Sequence, residues 1–194
     1  GVAVDHPGED GRRRRFGNMI VTRLPVRQVF RHLLPFPADP GVNGMPRIAV
    51  EAVVGAPFGD LRVITTHLEW YSRRQRSAQV EALRTIYAEG HAHARAGKIT
   101  DQSGGPFTTW LRPAATVICG DFNLEPDDPD HARMLVPFAD GTAPLTDCWT
   151  HTHPGEPHPA TFCIHSKMFE GQPELHCDFV FVSEELKARV RSLT

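Results

Sequence analysis

The sequence predicts an α/β sandwich in which strands and helices share a core, rather than a doubly wound parallel sheet. Short apolar stretches of strand length alternate with polar loops, and a helical pattern follows the third of these stretches. The four-residue turn APFG joins the second stretch to the third, which favours an antiparallel hairpin. The absence of regular βαβ spacing argues against a doubly wound sheet.

Five apolar segments carry the expected strands. They are residues 17–26, 47–55, 60–69, 115–120 and a last strand that starts at Cys177. The stretch 115–120 is continuously apolar, which is typical of a strand buried on both faces. The first segment should end before Pro25, because the residue before a proline rarely continues regular structure.

Three helices are expected. Ser72 and Gln75 form a capping-box pattern that begins the first helix, which should end at Gly90 or Gly97. Asp130 is the expected cap of a second, short helix. Ser183 is the expected cap of a third, which starts after the last strand.

The composition indicates an ordinary globular protein of one domain, residues 1–194. The net charge of −2 gives no global attraction to a polyanion, so a nucleic-acid contact would have to be local. No apolar run reaches the ~20 residues of a membrane span. The four cysteines are scattered, which predicts reduced thiols in a cytoplasmic protein. We expect a monomer.

Asp121 and Asn123 stand where the buried strand 115–120 ends. A carboxylate fixed at such a point can bind Mg²⁺ or accept a proton from water. An Asn side chain offers two donors and an acceptor, which suits contact with a phosphate oxygen. For an isolated Asp-x-Asn, an Asx-turn without any function is the favoured interpretation.

His67 and Asp178 lie at the ends of two other predicted strands. A histidine at the end of a strand can act as an acid or as an electrostatic clamp, and it can also be structural. An acid at the start of a hydrophobic strand can orient another side chain or simply be solvated. Neither residue alone indicates a function.

The motifs together resemble the endonuclease/exonuclease/phosphatase superfamily. GNMIVTRLPV, TTHLE, RRQRSAQ, VICGDFN and CDFVFVS occur in the order in which that family carries its Gly-Asn, Thr-His-Leu, Arg-x-x-Gln, Gly-Asp-x-Asn and acid-aromatic strand motifs. The resemblance implies a four-layer sandwich of two packed mixed β-sheets flanked by helices. It also implies hydrolysis of a phosphodiester by a nuclease-type enzyme.

The resemblance also implies roles for the four residues. Asp121 orients or deprotonates the attacking water, Asn123 contacts the scissile phosphate, and His67 stabilises or protonates its oxygens. Asp178 holds a second histidine in its working tautomer. The implied cofactor is Mg²⁺, or alternatively Mn²⁺, with Asp121 and Asn123 as ligands. The implied partner is a phosphate-ester substrate, with nucleic acid as one option.

Two family motifs were not found between Gly1 and Thr194. The family's metal-binding Glu normally precedes the Gly-Asn strand, and its closing Ser-Asp-His follows the last strand. We therefore expect a fold truncated at both ends. Glu51, within a strand, is expected to be solvated or paired across strands. The alternatives to a nuclease are a non-catalytic binding or scaffold domain on the same fold and a phosphatase-like or sphingomyelinase-like hydrolase.

A histidine-rich stretch near the end matches no common zinc pattern, so we do not expect a zinc site there. It comprises His151, His153, His158, His165 and His176, together with Cys163. Segments 30–45 and 98–112 are expected loops that determine the substrate.

Overall fold

The structure is a computed structural model that describes residues 1–97, 105, 111–162, 164, 171 and 173–194. Its strands are β1 (Val2–Pro7), β2 (Arg13–Gly17), β3 (Val26–Leu33), β4 (Ile48–Ala56), β5 (Gly59–His67), β6 (Thr116–Asp121), β7 (Thr146–Asp147) and β8 (Asp178–Val182). The helices are α1 (Arg73–Ala96), α2 (Pro129–Leu135), α3 (Cys148–Thr152) and α4 (Glu184–Lys187).

The described strands form a six-stranded mixed sheet in the order β3-β4-β5-β6-β8-β7 and a two-stranded sheet of β1 and β2. Strands β5 and β6 run parallel, while the other paired strands run antiparallel. The predicted α/β sandwich with a mixed sheet is confirmed. The predicted hairpin between the second and third apolar segments is the β4–β5 pair.

Helix α1 connects the parallel strands β5 and β6 and covers one face of the sheet. Its apolar residues Val80, Leu83 and Tyr87 are fully buried in a core that includes Ile64 and Ile118. Ser72 caps the helix as predicted, because its hydroxyl oxygen accepts a hydrogen bond from the Gln75 backbone N–H at 3.1 Å. The helix ends at Gly97, which has a positive φ of 70°.

The prediction of a strand over residues 17–26 is wrong. Residues 18–25 are irregular, and the strand next to β4 is Val26–Leu33. The apolar residues of this segment suggested a buried strand. Met19 and Val21 are instead 79% and 82% exposed. Strand β3 was missed because it is an edge strand, whose alternating polar side chains resemble a loop.

The cap of α2 is also corrected. Asp128, rather than Asp130, is the N-cap, and its carboxylate accepts a hydrogen bond from the Asp130 backbone N–H at 2.8 Å. Asp130 lies in the first turn of the helix, where a negative charge is favourable. Ser183 occupies the cap position of α4, but its hydroxyl accepts from the backbone N–H of Thr116 on β6 instead.

Glu51 lies in a buried ionic cluster that joins three strands. Its carboxylate accepts hydrogen bonds from Arg62 Nε at 3.0 Å and from Arg112 Nη2 at 2.8 Å. The His32 ring lies 3.1 Å from the same carboxylate. Glu51 is fully buried. The expectation that it is paired across strands is therefore correct, and the expectation that it is solvated is wrong.

Among the described residues, none of the helices combines the length and the apolar character that crossing a bilayer requires. Cys119, Cys148 and Cys177 are free thiols, whereas Cys163 lies outside the described residues. The predicted loop 98–112 falls mostly outside them as well.

Candidate active site

The register of three neighbouring strands places His67, Asp121 and Asp178 side by side. His67 ends β5 and pairs with Asp121 on β6, and Asp121 pairs with Asp178 on β8. Residues opposite each other in a sheet project from the same face. The backbone hydrogen bonds of the sheet therefore fix the spacing of the three side chains.

Strands β5 and β6 approach closely at Gly120, just before Asp121. Gly120 has a φ of 142°, and a Cβ atom there would lie 2.0 Å from the Thr66 carbonyl oxygen. Only glycine fits this combination of backbone angle and close approach. The chain then leaves the sheet, and the Leu68 N–H donates to the Asp121 carbonyl at 2.9 Å.

Asp121 forms the Asx-turn that its sequence context suggested, and it also faces a histidine. Its Oδ1 accepts a hydrogen bond from the Asn123 backbone N–H at 2.9 Å. Its Oδ2 lies 3.3 Å from Nε2 of His67. One carboxylate oxygen therefore stabilises the turn, while the other remains available for chemistry.

Asn123 is held in an unusual conformation for a residue with a side chain. Its φ is 51°, in the left-handed region that Asn tolerates better than most residues. Its Nδ2 donates to the Leu68 carbonyl at 2.7 Å. Its Oδ1 has no hydrogen-bond partner among the described residues, which leaves an oxygen for a ligand.

Burial shifts the pKa values of the facing pair in opposite directions. Burial raises the pKa of Asp121, and the nearby negative charge of Asp178 acts in the same direction against the effect of His67. Burial lowers the pKa of His67, and the positive charge of Arg47 contributes to that lowering. A carboxylate with a raised pKa is a stronger base. A neutral imidazole still carries one N–H group, which can donate a hydrogen bond.

His67, Asp121 and Asn123 line one cavity of about 750 Å³. The other lining residues are Arg47, Trp70, Tyr71, Phe162, Pro173 and Leu175. Asp178 is exposed and lines a neighbouring cavity of about 230 Å³ instead. The structure thus brings three of the four predicted residues into one cavity and places the fourth beside it.

Arg47 is a cationic residue of this cavity that the sequence did not single out. The residue is 5% exposed, and its Nε donates to Glu69 at 3.3 Å. Its Nη1 is buried without a hydrogen-bond partner. A buried guanidinium nitrogen without a partner is costly, and Arg47 gives the cavity wall a cationic group that suits an anionic ligand. Arg47 precedes a strand in the sequence, and only the folded structure places it beside His67.

Glu69 is a second residue whose part the sequence did not reveal. Its buried carboxylate accepts hydrogen bonds from the backbone N–H groups of Met45, Trp70 and Tyr71, each at 3.0 Å, and from Arg47 Nε. These four hydrogen bonds occupy both oxygens. Glu69 therefore organises the cavity wall rather than binding a substrate or a metal ion.

The Arg-x-x-Gln motif of α1 forms hydrogen bonds with the backbone of the same cavity wall. Gln79 accepts a hydrogen bond from the Glu69 N–H at 2.9 Å, and Arg76 donates to the Trp70 carbonyl at 3.2 Å. Arg76 also pairs with Asp128 at 3.4 Å. Both motif residues thus have positioning contacts in this structure.

The donors at Asp121 and Asn123 suit a hard divalent cation. Both offer side-chain oxygen atoms at the cavity wall, and Mg²⁺ binds through one or two such ligands while it keeps several waters. Glu51 and Glu69 are excluded as further ligands, because arginines and backbone N–H groups already occupy their oxygens. Among the described residues, no glutamate lines the cavity.

A separate group of His131, Asp147 and His158 lies close to β8. The Nε2 atoms of both histidines are 2.8 Å from Asp147 Oδ2, and Asp147 Oδ1 accepts the Trp149 N–H. The three ligand atoms lie within 4.8 Å of one another, a set that could hold a metal ion. Because hydrogen bonds satisfy Asp147 completely, we interpret the group as a structural link between α2, α3 and the loop that carries His158. Of the histidine-rich stretch, His165 and Cys163 lie outside the described residues.

The chain belongs to the endonuclease/exonuclease/phosphatase family, whose sequence model matches residues 2–194. The resemblance drawn from the motifs is confirmed. Enzymes of this family hydrolyse phosphoesters and generally depend on a divalent metal ion. A search of curated proteins gave no match to the chain.

Solved structures share the fold at low sequence identity. An endonuclease/exonuclease/phosphatase from Bacteroides vulgatus has 16% identity and a TM-score of 0.54, with 82% of this chain and 54% of that chain covered. D. rerio TDP2 complexed with single strand DNA product has 18% identity and a TM-score of 0.51, with 83% and 54% covered. A mannosyl-6-phosphatase from Bacteroides thetaiotaomicron has 13% identity and a TM-score of 0.51, with 83% and 53% covered. The chain therefore spans about half the length of these structures.

Proposed function

We propose that this protein is a metal-dependent phosphodiesterase of the nuclease type. One observation carries the proposal: His67, Asp121 and Asn123 share a cavity with an arginine whose Nη1 has no partner. A phosphodiester is anionic and therefore repels an attacking nucleophile. The cavity offers what hydrolysis requires, namely a base, fixed polar groups and a positive charge.

The proposed mechanism starts with Asp121. Its Oδ2 accepts a proton from a water molecule, whose oxygen attacks the phosphorus atom, and the bond from phosphorus to the leaving oxygen breaks. Asn123 contacts a non-bridging oxygen, and the guanidinium of Arg47 balances the charge that develops there. The neutral His67 imidazole donates a hydrogen bond to the phosphate, or, in its protonated form, gives a proton to the leaving oxygen and returns to neutral imidazole.

A bound Mg²⁺ or Mn²⁺ would be held by Asp121 and Asn123, and it would supply positive charge at the phosphate oxygens. Asp178 is proposed to act through its neighbours, since it lies beside Asp121 in the sheet. No described histidine is hydrogen-bonded to Asp178, so the histidine that the family pairs with this acid is not assigned. We expect a cytoplasmic monomer, because one chain carries all four residues and the three described cysteines are free thiols.

The test is the substitution Asp121→Asn. Asparagine preserves the Asx-turn but removes the charge and the basic oxygen, so the loss should fall on kcat rather than on folding. We expect kcat to decrease by about 10²–10⁴-fold, the usual contribution of a general base. Asp127→Asn, an exposed change in the same loop, is the matched control.

Both variants should melt within a few degrees of the wild type. A folded Asp121→Asn protein that keeps more than about a tenth of the wild-type kcat would contradict the proposal. Substrates for the assay are DNA, RNA, sphingomyelin and phosphoinositides. Inactivity on all four would favour a non-catalytic binding domain on the same fold.

The metal requirement has its own experiment. EDTA should abolish hydrolysis, and added Mg²⁺ or Mn²⁺ should restore it. Calorimetry should also show weak Mg²⁺ binding that Asp121→Asn reduces. Equal Mg²⁺ affinity in the variant would show that the ligands lie elsewhere.

The fold alone does not choose the substrate. One structural neighbour is described with single strand DNA product and another as a mannosyl-6-phosphatase. A sandwich of this kind can carry different substrates on one catalytic core. A phosphatase-like or sphingomyelinase-like activity would leave the roles of Asp121 and His67 unchanged.

A further inference from the structure

We propose that Trp70 and Tyr71 form a stacking platform for the base of a nucleotide whose phosphate lies at Asp121. The inference rests on the proposed function and specifies its substrate class. Both aromatic residues line the cavity that contains His67 and Asp121. They follow His67 by three and four residues, so one short segment carries both the reactive group and the proposed platform.

Several hydrogen bonds fix the backbone of this segment. The Trp70 and Tyr71 N–H groups both donate to Glu69 Oε1 at 3.0 Å. The Trp70 carbonyl accepts from Arg76, and the Glu69 N–H donates to Gln79. A fully buried glutamate therefore holds the main chain of two exposed aromatic residues.

The two side chains themselves are accessible. Trp70 is 44% exposed and Tyr71 is 64% exposed. Among the described residues, neither ring stacks on another aromatic ring or on a guanidinium group. A rigid backbone with accessible rings is a pre-organised surface, because little conformational entropy is lost when a flat ligand binds to it.

The chemistry of the cavity suits the base and the phosphate of a nucleotide. An aromatic ring is the usual partner of a base, and stacking of this kind tolerates any sequence. Arg47 lies in the same cavity with its unpartnered Nη1, so a cation for the phosphate and flat rings for the base are both present. The volume of about 750 Å³ is within the range of small-ligand sites.

The experiment compares two oligomers that carry the same charge. One is a five-residue phosphorothioate oligothymidylate, and the other is a phosphorothioate pentamer of the same length that is abasic throughout. Phosphorothioate linkages slow hydrolysis, so calorimetry can measure binding in the presence of Mg²⁺. We expect the wild-type protein to bind the thymine oligomer more tightly.

Trp70→Ala should lower the affinity for the thymine oligomer by about 5- to 150-fold, the range observed for removing one stacking partner. The ratio of the two affinities should then approach one. Tyr71→Ala should have an effect in the same direction, and Trp70→Phe should retain part of the ratio. Phe58→Ala is the control, since Phe58 is 49% exposed and its ring contacts Arg189 outside the cavity.

Three results would overturn the inference: equal affinity of the wild type for both oligomers, equal loss of both affinities in Trp70→Ala, or no binding of either oligomer. Failure here differs from failure of the proposed function. The latter is decided by the kcat of Asp121→Asn on its best substrate, which could be a lipid or a sugar phosphate. A protein that hydrolyses sphingomyelin and binds the two oligomers with equal affinity would refute only the stacking platform.

Discussion

Asp121 and Glu69 show how two carboxylates that both act on His67 acquire pKa values shifted in opposite directions. Burial acts on both, and it raises the pKa of Asp121. For Glu69 burial also acts upward, but the backbone N–H groups of Met45 and Tyr71 and the charge of Arg47 outweigh it and lower the pKa. Asp121 is therefore the better proton acceptor, while Glu69 stays ionised and serves as a scaffold.

The raised pKa of Asp121, which burial causes and to which Asp178 contributes, predicts a pH dependence of hydrolysis. In the proposed mechanism hydrolysis needs ionised Asp121, so kcat should rise with pH through a pKa above the ordinary value of 3.8. The negative charge of Asp178 contributes to that raised pKa. Asp178→Asn removes the charge, favours ionised Asp121 and should move the acid limb to lower pH.

The measurement is kcat from pH 4 to pH 9 for the wild type and Asp178→Asn. The position of the acid limb is independent of any loss in maximal rate, so it can be measured even in a slow variant. An acid limb that stays in place or moves to higher pH would remove Asp178 from the electrostatics of the site.

At the scale of elements, the close approach of β5 and β6 depends on Gly120. Gly120→Ala would place a Cβ atom against the Thr66 carbonyl and force an unfavourable backbone angle, which alone costs about 1–3 kcal/mol. We expect a lower melting temperature and a loss of activity even where the variant stays folded, because His67 and Asp121 would separate.

Cys119→Ala is the neighbouring control on β6. It removes one sulfur atom from a half-buried side chain and leaves the strand spacing intact. Its activity should resemble that of the wild type. If Gly120→Ala behaved like Cys119→Ala, the strand approach would not determine the geometry of the site.

The elements differ in how well the sequence predicts them, for physical reasons. Strands β4, β5, β6 and β8 were expected because their apolar runs are buried, and α1 because its cap and period agree. Strand β3 was missed, since an edge strand need not be apolar. The exposed segment 18–25 was overpredicted, since an apolar run alone does not show burial.

The residues of the candidate site also differ in how well the sequence predicts them. His67, Asp121 and Asn123 could be found because they stand at the ends of strands in recognisable motifs. Arg47 and Glu69 could not be assigned, because their parts depend on contacts between distant segments. The sequence predicted Asp130 rather than Asp128 as the N-cap of α2, because several acidic residues lie close together there.

At the scale of the whole molecule, the Glu51 cluster links stability to pH. Burial alone would raise the pKa of Glu51, but hydrogen bonds from His32 and Arg112 and the charge of Arg62 outweigh it and lower the pKa to about 2. A carboxylate with a lowered pKa stabilises the folded state above its unfolded pKa of about 4.5. That stabilisation, roughly 3 kcal/mol, should be lost as the pH falls from about 5 to about 2.

Glu51→Gln should therefore lower the free energy of unfolding by about 3–5 kcal/mol at pH 7, because Arg62 and Arg112 keep buried charges without a counterion. The difference from the wild type should shrink as the pH approaches 2. Urea unfolding at pH 7, pH 4 and pH 2.5 measures both effects. Glu81→Gln, an exposed carboxylate paired with Arg133, should leave the midpoint nearly unchanged. A difference that stays constant with pH would refute the linkage.

The side-by-side placement of His67, Asp121 and Asp178 has a consequence for how such a protein can diversify. Neighbouring strands lie about 4.8 Å apart, so the sheet itself sets the width of the candidate site. The connections between these strands can then lengthen, shorten or change composition without altering that width. If the proposed function holds, insertions after α1 or before β8 should therefore change the substrate preference while the spacing of His67, Asp121 and Asp178 stays the same.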